Sequence, residues 1–202
     1  MGLYDAYLAT RIRLSDAGLP GHVAVVLTEK DLLEAGAYGT LADVFEWALE
    51  FGAECVLVYV SVLDEAAIPT LRRQLEDVPA PRPVAVRTPD DEESADEPIQ
   101  ISIGLGGQAE FAGAVRGVAE AVEAGDLDPA ALTETEVEER LVFPVDPDLL
   151  IKTGAERLSD FMIWQSVYSE LYFTDVNWRN LRRRDYLRAL RDYQERQRRF
   201  GR

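Results

Sequence analysis

The stretch "GHVAVVLTEKDLLEAGAYGTLADVFEWALEFGAECVLVYV", Gly21–Val60, decides the fold. It opens on His22–Leu27 and closes on Cys55–Val60, two continuous apolar runs rich in β-branched residues. Such runs suit parallel strands covered on both faces, whereas a strand with one wet face alternates with polar residues. Between them Leu41, Val44, Phe45, Ala48 and Phe51 recur at helical spacing, and Gly52 stands where a helix ends in left-handed backbone. Strand, helix and strand in this order form a βαβ unit, the seed of a parallel sheet.

The same pattern continues along the chain. Val84–Val86, Ile99–Ile103 ("IQISI"), Asp148–Lys152 ("DLLIK") and Leu171–Phe173 ("LYF") read as further strands. Phe111, Val115, Val118 and Val122 mark the apolar face of a helix that ends at Gly125. Thr133 and Glu136 have capping-box spacing for a short helix to Leu141. Tyr186, Leu187, Leu190 and Tyr193 stripe a final helix. The expectation is one α/β domain over residues 1–202, with a mainly parallel central sheet flanked by helices. One segment breaks the pattern: "TPDDEESADEP", Thr88–Pro98, is acidic and aperiodic and reads as a mobile surface loop.

Charge is large and uneven. The net charge of −16 hides ten arginines between Arg179 and Arg202 against Asp185, Asp192 and Glu195, a local +7 that leaves −23 on the remainder. Only Lys30 and Lys152 are lysines. An acidic, lysine-poor surface suits a protein kept soluble in high salt, so a halophilic source is expected. The acidic body argues against nucleic-acid binding, which needs phosphate neutralisation over a broad face. The single cysteine, Cys55, sits inside a buried strand and reads as a core thiol. No apolar run approaches the roughly 20 residues that span a bilayer, and the start of the chain has no signal pattern. A cytoplasmic protein, at most peripheral to a membrane, is expected.

Chemistry-bearing groups cluster after "DLLI". In parallel sheets ligands sit beyond the carboxyl ends of the strands, and there "KTGAERLS" offers Lys152 and Arg157 as cations, Ser159 as a hydroxyl donor and Gly154 for close backbone approach. That composition suits a phosphate; on composition alone, a loop with two solvated charges is an equal reading. "GLGG", Gly104–Gly107, lies between a strand and a helix but does not complete a dinucleotide fingerprint. No Cys/His cluster suits zinc, and His22, the one histidine, begins a strand and reads as a packing residue.

"PDLLIKTGAERLSDFMIWQSVYSELYFTDVNW", followed by "LRALRDYQERQRRFG", closely resembles the C-terminal signature of the cis-prenyltransferases, the undecaprenyl diphosphate synthase family. Weaker likeness extends upstream through "IQISIGLGGQAEF" and "GLYDAYLATRIRL". Those enzymes add isopentenyl diphosphate units to an allylic diphosphate, making polyprenyl carriers for glycan assembly. By position, the resemblance implies that Lys152, Gly154, Arg157 and Ser159 line the isopentenyl diphosphate site, with Lys152 in place of the usual arginine and one residue fewer between Glu156 and Arg157. It implies that Glu170 belongs to the Mg2+ site. It also implies that Arg199, Phe200 and Gly201 match a tail that reaches across a dimer interface to the partner's diphosphate site.

Other family motifs are missing. The first, M-D-G-N-x-R-W-A after strand one, reads "LTEKDLLE": Thr28 replaces the aspartate that organises magnesium, and Glu29 replaces a phosphate-facing glycine. The region of the G-H-x-x-G motif has no histidine, and F-S-x-E-N-W has become "SVLDEA". The long helix that walls the product tunnel has only "AAIPTLRRQLED" to form from. The expectation is a degenerate homologue that assigns no catalytic residue of its own. It serves as accessory subunit to a catalytic homologue, with Mg2+ shared with or held by that partner. Two alternatives stand beside it: an active divergent prenyltransferase relying on Glu29, Asp31 or Glu170 for magnesium, as homodimer or alone, and a partner-independent isoprenoid-diphosphate-binding regulator.

Overall fold

The computed structural model describes residues 2–91, 96–141, 146–154, 162 and 164–200, the last four of these by their backbone alone. The βαβ unit read from the sequence is its centre. β1 (His22–Thr28) and β2 (Cys55–Ser61) pair in parallel, with His22 opposite Cys55 and Thr28 opposite Ser61. α3 (Ala37–Glu50) joins them, and Gly52, with φ at +86°, makes the left-handed turn that follows its end. β3 (Val84–Arg87), β4 (Ile99–Ile103), β5 (Leu149–Thr153) and β6 (Glu170–Thr174) complete a six-stranded sheet in the order β3-β4-β2-β1-β5-β6. Every pairing is parallel.

The two faces of the sheet are packed differently. On one, Val23, Val25 and Leu27 of β1, Val56, Val58 and Val60 of β2 and the three isoleucines of β4 form the main core. Against it lie α3, α1 (Leu3–Arg13) and α7 (Arg183–Phe200), through Leu41, Phe45, Leu8, Ile12, Leu187 and Leu190. Each such fully buried side chain contributes about 1.5–3 kcal/mol. Gln194 of α7 donates to Ile12 O and Ala17 O, and Glu50 at the end of α3 pairs with both Arg13 and Arg183, which locks the three helices together. Trp178, 1% exposed, donates its indole N–H to Ala37 O.

The second face holds a smaller apolar cluster of Ala24, Val26, Cys55, Leu57, Tyr59, Leu150 and Met162. α5 (Gly107–Ala124) follows β4, and the short α6 (Glu134–Glu138) packs against it. The face of α5 that is buried differs from the one expected. Gly107, Glu110, Ala114 and Val118 point inward, while Phe111 and Val115 of the expected apolar stripe are 38% and 46% exposed. The buried Glu110 is answered by Gln165, whose Nε2 donates at 2.9 Å.

Helices at the carboxyl ends of the early strands are short. α2 (Glu29–Leu33) has five residues and α4 (Ile68–Glu76) nine, about 14 Å of helix at 1.5 Å per residue. After β3, the start of the acidic segment is an ordered turn: Asp91 accepts from Thr88 N–H and Oγ1–H at 2.8 Å each and pairs with Arg72. Residues 92–95 lie outside the described part. No described helix is long and apolar enough to cross a membrane.

Candidate diphosphate site at the carboxyl ends of the strands

The strand registers align one residue from every strand in a single row: Arg87, Ser102, Tyr59, Val26, Lys152 and Phe173. Paired residues on adjacent strands share a face, and here it is the second face, because Val26 and Tyr59 belong to its cluster. The row lies within two residues of the carboxyl ends of the strands, with a cation on β3 and another on β5. They stand four strand spacings apart, about 19 Å.

Lys152 is the one expected site residue whose side chain is described at this end. It is 2% exposed, and no carboxylate or carbonyl pairs with its ammonium among the described residues. Burying an ammonium without a counter-charge is costly. Gly154 follows with φ at +77°, a conformation that side-chain-bearing residues rarely adopt, and its N–H donates to Val176 O at 3.2 Å. Lys152 therefore stands as a buried cation two residues before a left-handed turn whose N–H is already engaged. Arg157 and Ser159 lie outside the described residues, as does Gly201. Arg199 and Phe200 are the last helical residues of α7, and their side chains are not described.

Glu170 is not brought to Lys152. It is the first residue of β6, opposite Leu149, on the face that packs against α7. It stands three residues before the row of Lys152, about 10 Å along the strand, and Arg196 Nη1 binds it at 3.1 Å.

The end of β1 is built as a helix cap. Thr28 N–H and Oγ1–H both donate to Asp31 Oδ2 at 2.8 Å, and Asp31 N–H donates back to Thr28 Oγ1 at 3.3 Å. This reciprocal cap starts α2 where the sequence resemblance leads to the expectation of an aspartate and glycine turn. Glu29 Oε2 accepts from Leu63 N–H at 3.2 Å and ties the ends of β1 and β2 together. Among the described residues, no three His, Cys, Asp or Glu side chains gather where a metal ion could be held. With Asp31 in a cap, Glu29 in a loop bridge and Glu170 facing α7, the described residues do not fit a complete Mg2+ site within this chain.

A second polar group lies on the same face, which sequence reasoning missed. Gln100, Ser102, Glu110, Gln165 and Arg87 are all 6% exposed or less. Burial lowers the Arg87 pKa from its ordinary value, while Asp91, Glu110 and Glu97 pull the other way. The signal was present in "IQISI", where Gln100 and Ser102 alternate with three isoleucines, and in the arginine that ends "VAVR". Burial pushes the Cys55 thiol up to about 11, as expected for a core residue.

Comparisons with known proteins agree on kinship. The profile of a family described as "Putative undecaprenyl diphosphate synthase" matches residues 83–201. A "Tritrans,polycis-undecaprenyl-diphosphate synthase (geranylgeranyl-diphosphate specific)" of Methanopyrus kandleri is 31% identical over 247 positions, covering 99% of this chain and 90% of that protein. A "Short-chain Z-isoprenyl diphosphate synthase" of Mycobacterium leprae is 32% identical over 247 positions, with 98% and 94% covered. Alignments of 247 positions on a chain of 202 mean that these relatives carry segments this chain lacks. The likeness to the Methanocaldococcus jannaschii relative is higher, 50%, but is confined to 109 residues, 51% of this chain and 39% of that protein.

Solved structures agree on the fold. Lavandulyl diphosphate synthase from Lavandula x intermedia superimposes with a TM-score of 0.71 at 21% identity, over 87% of this chain and 95% of that one. A probable undecaprenyl diphosphate synthase from Campylobacter jejuni gives 0.67 at 21% identity, over 92% and 100%. The all-parallel sheet, the family profile over residues 83–201 and relatives above 30% identity along nearly the whole chain converge: this chain belongs to the undecaprenyl diphosphate synthase, or cis-prenyltransferase, family.

Proposed function

We propose that the chain takes part in building polyprenyl diphosphates as the subunit that lacks its own metal carboxylate, paired with a complete homologue that has one. The observation that carries this reading is the reciprocal cap between Thr28 and Asp31. It fills the place of the motif that would organise magnesium and the departing diphosphate, and it engages the nearest carboxylate. In this reading the turn of Lys152 and Gly154, with Arg157 and Ser159, still receives the diphosphate of isopentenyl diphosphate. Arg199, Phe200 and Gly201 extend from α7 toward the partner's site. Mg2+ is held by the partner or shared with it, and Glu170 enters that site only if Arg196 releases it. Contact with a membrane surface, where polyprenyl products reside, is part of the same reading.

A second reading, an active divergent synthase, draws more direct support from the relatives in Methanocaldococcus jannaschii, Methanopyrus kandleri and Mycobacterium leprae, which are named as synthases. The two part on one assay: incorporation of isopentenyl diphosphate into polyprenyl product by this chain alone, by a complete homologue alone and by both. Product from this chain alone supports the second reading. Product that rises only on mixing supports the first. Isopentenyl diphosphate binding with neither outcome supports a regulator that works without a partner.

A further inference from the structure

α1 is apolar on both sides. Leu8, Ala9 and Ile12 pack inward. On the other side Leu3, Tyr4 and Tyr7 are 94%, 47% and 51% exposed, and Leu14 at the C-cap is 79% exposed. With 3.6 residues per turn, these four and Arg11 fall within an arc of about 100°. Single exposed apolar side chains are ordinary, but a stripe of them along one helix face marks a surface that meets something.

Arginines frame the stripe. The Arg11 guanidinium lies 5.8 Å from the Tyr7 ring centroid and donates to the Tyr7 hydroxyl at 3.1 Å. Arg188 of α7 lies 5.6 Å from the Tyr4 centroid, and the two tyrosine rings stack with centroids 6.4 Å apart. Arg11 makes no ion pair among the described residues. The charge of the two helices is opposite to that of the molecule. α1 has Arg11 and Arg13 against Asp5, and α7 has seven arginines against Asp185, Asp192 and Glu195. These +1 and +4 make +5 in a chain of −16, so the remainder carries −21.

Tyrosine and leucine with arginine at their side suit a helix lying in a bilayer interface. The ring bodies enter the headgroup layer, the hydroxyls stay wet, and arginine meets lipid phosphate. An anionic bilayer is repelled by the −21 of the remainder, which leaves α1 and α7 as the face it can approach. A second copy of the chain fits poorly. A two-fold contact sets the same arginines against each other. The 11 residues of α1 also present a strip only about 16 Å long and about 10 Å wide, far short of the roughly 800 Å2 that each partner gives a stable dimer. A bilayer needs no matching contour and takes up side chains one at a time.

We propose that the exposed stripe of α1, with Arg11 and Arg188, is a docking face that lays α1 on an anionic lipid bilayer. It names the surface for the membrane contact in the proposed role and rests on that role only for its purpose.

Co-sedimentation of the full chain with vesicles tests it, with equal parts phosphatidylglycerol and phosphatidylcholine against phosphatidylcholine alone, at about 0.1 M and about 1 M NaCl. Binding to the anionic vesicles is expected at the lower salt, weaker at the higher salt and weaker on phosphatidylcholine. Tyr4→Ser with Tyr7→Ser is expected to lower the partition by about tenfold or more, and Arg11→Glu by about tenfold, with far-ultraviolet circular dichroism unchanged. If the tyrosine variant disturbs α1, Leu3→Ser with Leu14→Ser replaces it. No binding to the anionic vesicles, binding indifferent to these variants, or equal binding to both vesicle types overturns the proposal. A dimer of this chain that Tyr4→Ser with Tyr7→Ser dissolves, without vesicle binding, also overturns it, because the occupant is then a second copy. Vesicle binding by a chain that adds nothing to the turnover of a complete homologue overturns the accessory role and leaves the docking face standing. A turnover gain without any vesicle binding does the reverse.

Discussion

Thr28 and Asp31 hold each other across the first turn of α2, with both the N–H and the hydroxyl of Thr28 at 2.8 Å from one carboxylate oxygen of Asp31. That pair makes the end of β1 a structural cap. Asp31→Ala should lower unfolding stability by about 1 kcal/mol, the usual loss for a helix cap. Urea denaturation measures it. If Asp31 instead holds magnesium, the variant changes the shift in melting temperature that added Mg2+ produces; the cap predicts the same shift in both proteins.

Lys152 is buried without a counter-charge among the described residues. Lys152→Met removes the desolvation penalty and should raise stability by on the order of 1 kcal/mol, because a buried charge is replaced by an apolar chain of similar length. Isothermal titration with isopentenyl diphosphate should show the opposite change, a loss of affinity of about tenfold or more, as expected when a charge-assisted contact is removed. Lys152→Arg should keep binding.

Gln165 donates to the buried Glu110 across α5 and the segment that follows β5. Gln165→Leu removes one donor from a buried carboxylate and should cost about 1–3 kcal/mol. Gln165→Glu should cost more near neutral pH, since it sets two carboxylates together. Thermal unfolding of the three proteins gives the order.

Asp91 carries a pH signature. Burial raises its pKa, but the N–H and hydroxyl of Thr88 and the guanidinium of Arg72 outweigh that and hold it below its ordinary 3.8. A carboxyl whose folded pKa is depressed stabilises the fold fully above its unfolded pKa, and that contribution fades as pH falls through the folded value. The stability gap between the wild type and Asp91→Asn should therefore be constant from neutral pH down to about 5 and close below about 3. Urea midpoints at those pH values follow it.

Much of the fold was legible because buried parallel strands announce themselves as unbroken apolar runs. β1 and β2 were read to within a residue, and β5 and β6 to within one at each end. The orientation of α5 was not legible. Val118 is common to the expected and observed faces, but the rest of the buried face consists of a glycine, an alanine and a glutamate. Hydrophobicity cannot select those residues; the Gln165 partner of Glu110 is a tertiary contact that periodicity does not carry. At the site, Lys152 and Gly154 could be placed from their position after a strand. The relation of Glu170 to them could not, since which face a residue occupies depends on the register between β5 and β6. Asp31 as a cap has a sequence sign, T-x-x-D spacing from Thr28, but a carboxylate just past a strand end has the same look when it is a metal ligand.

In the proposed role this chain, whose strand one ends in a cap, contributes to polyprenyl diphosphate synthesis only beside a homologue that supplies the metal carboxylate. The direct measurement is incorporation of labelled isopentenyl diphosphate with Mg2+ and an allylic diphosphate, for this chain alone and with a complete homologue. The account predicts no product from this chain alone, and a rise on mixing that Arg157→Ala in this chain reduces. Sustained product from this chain alone, abolished by Glu29→Gln or Asp31→Asn, would contradict it.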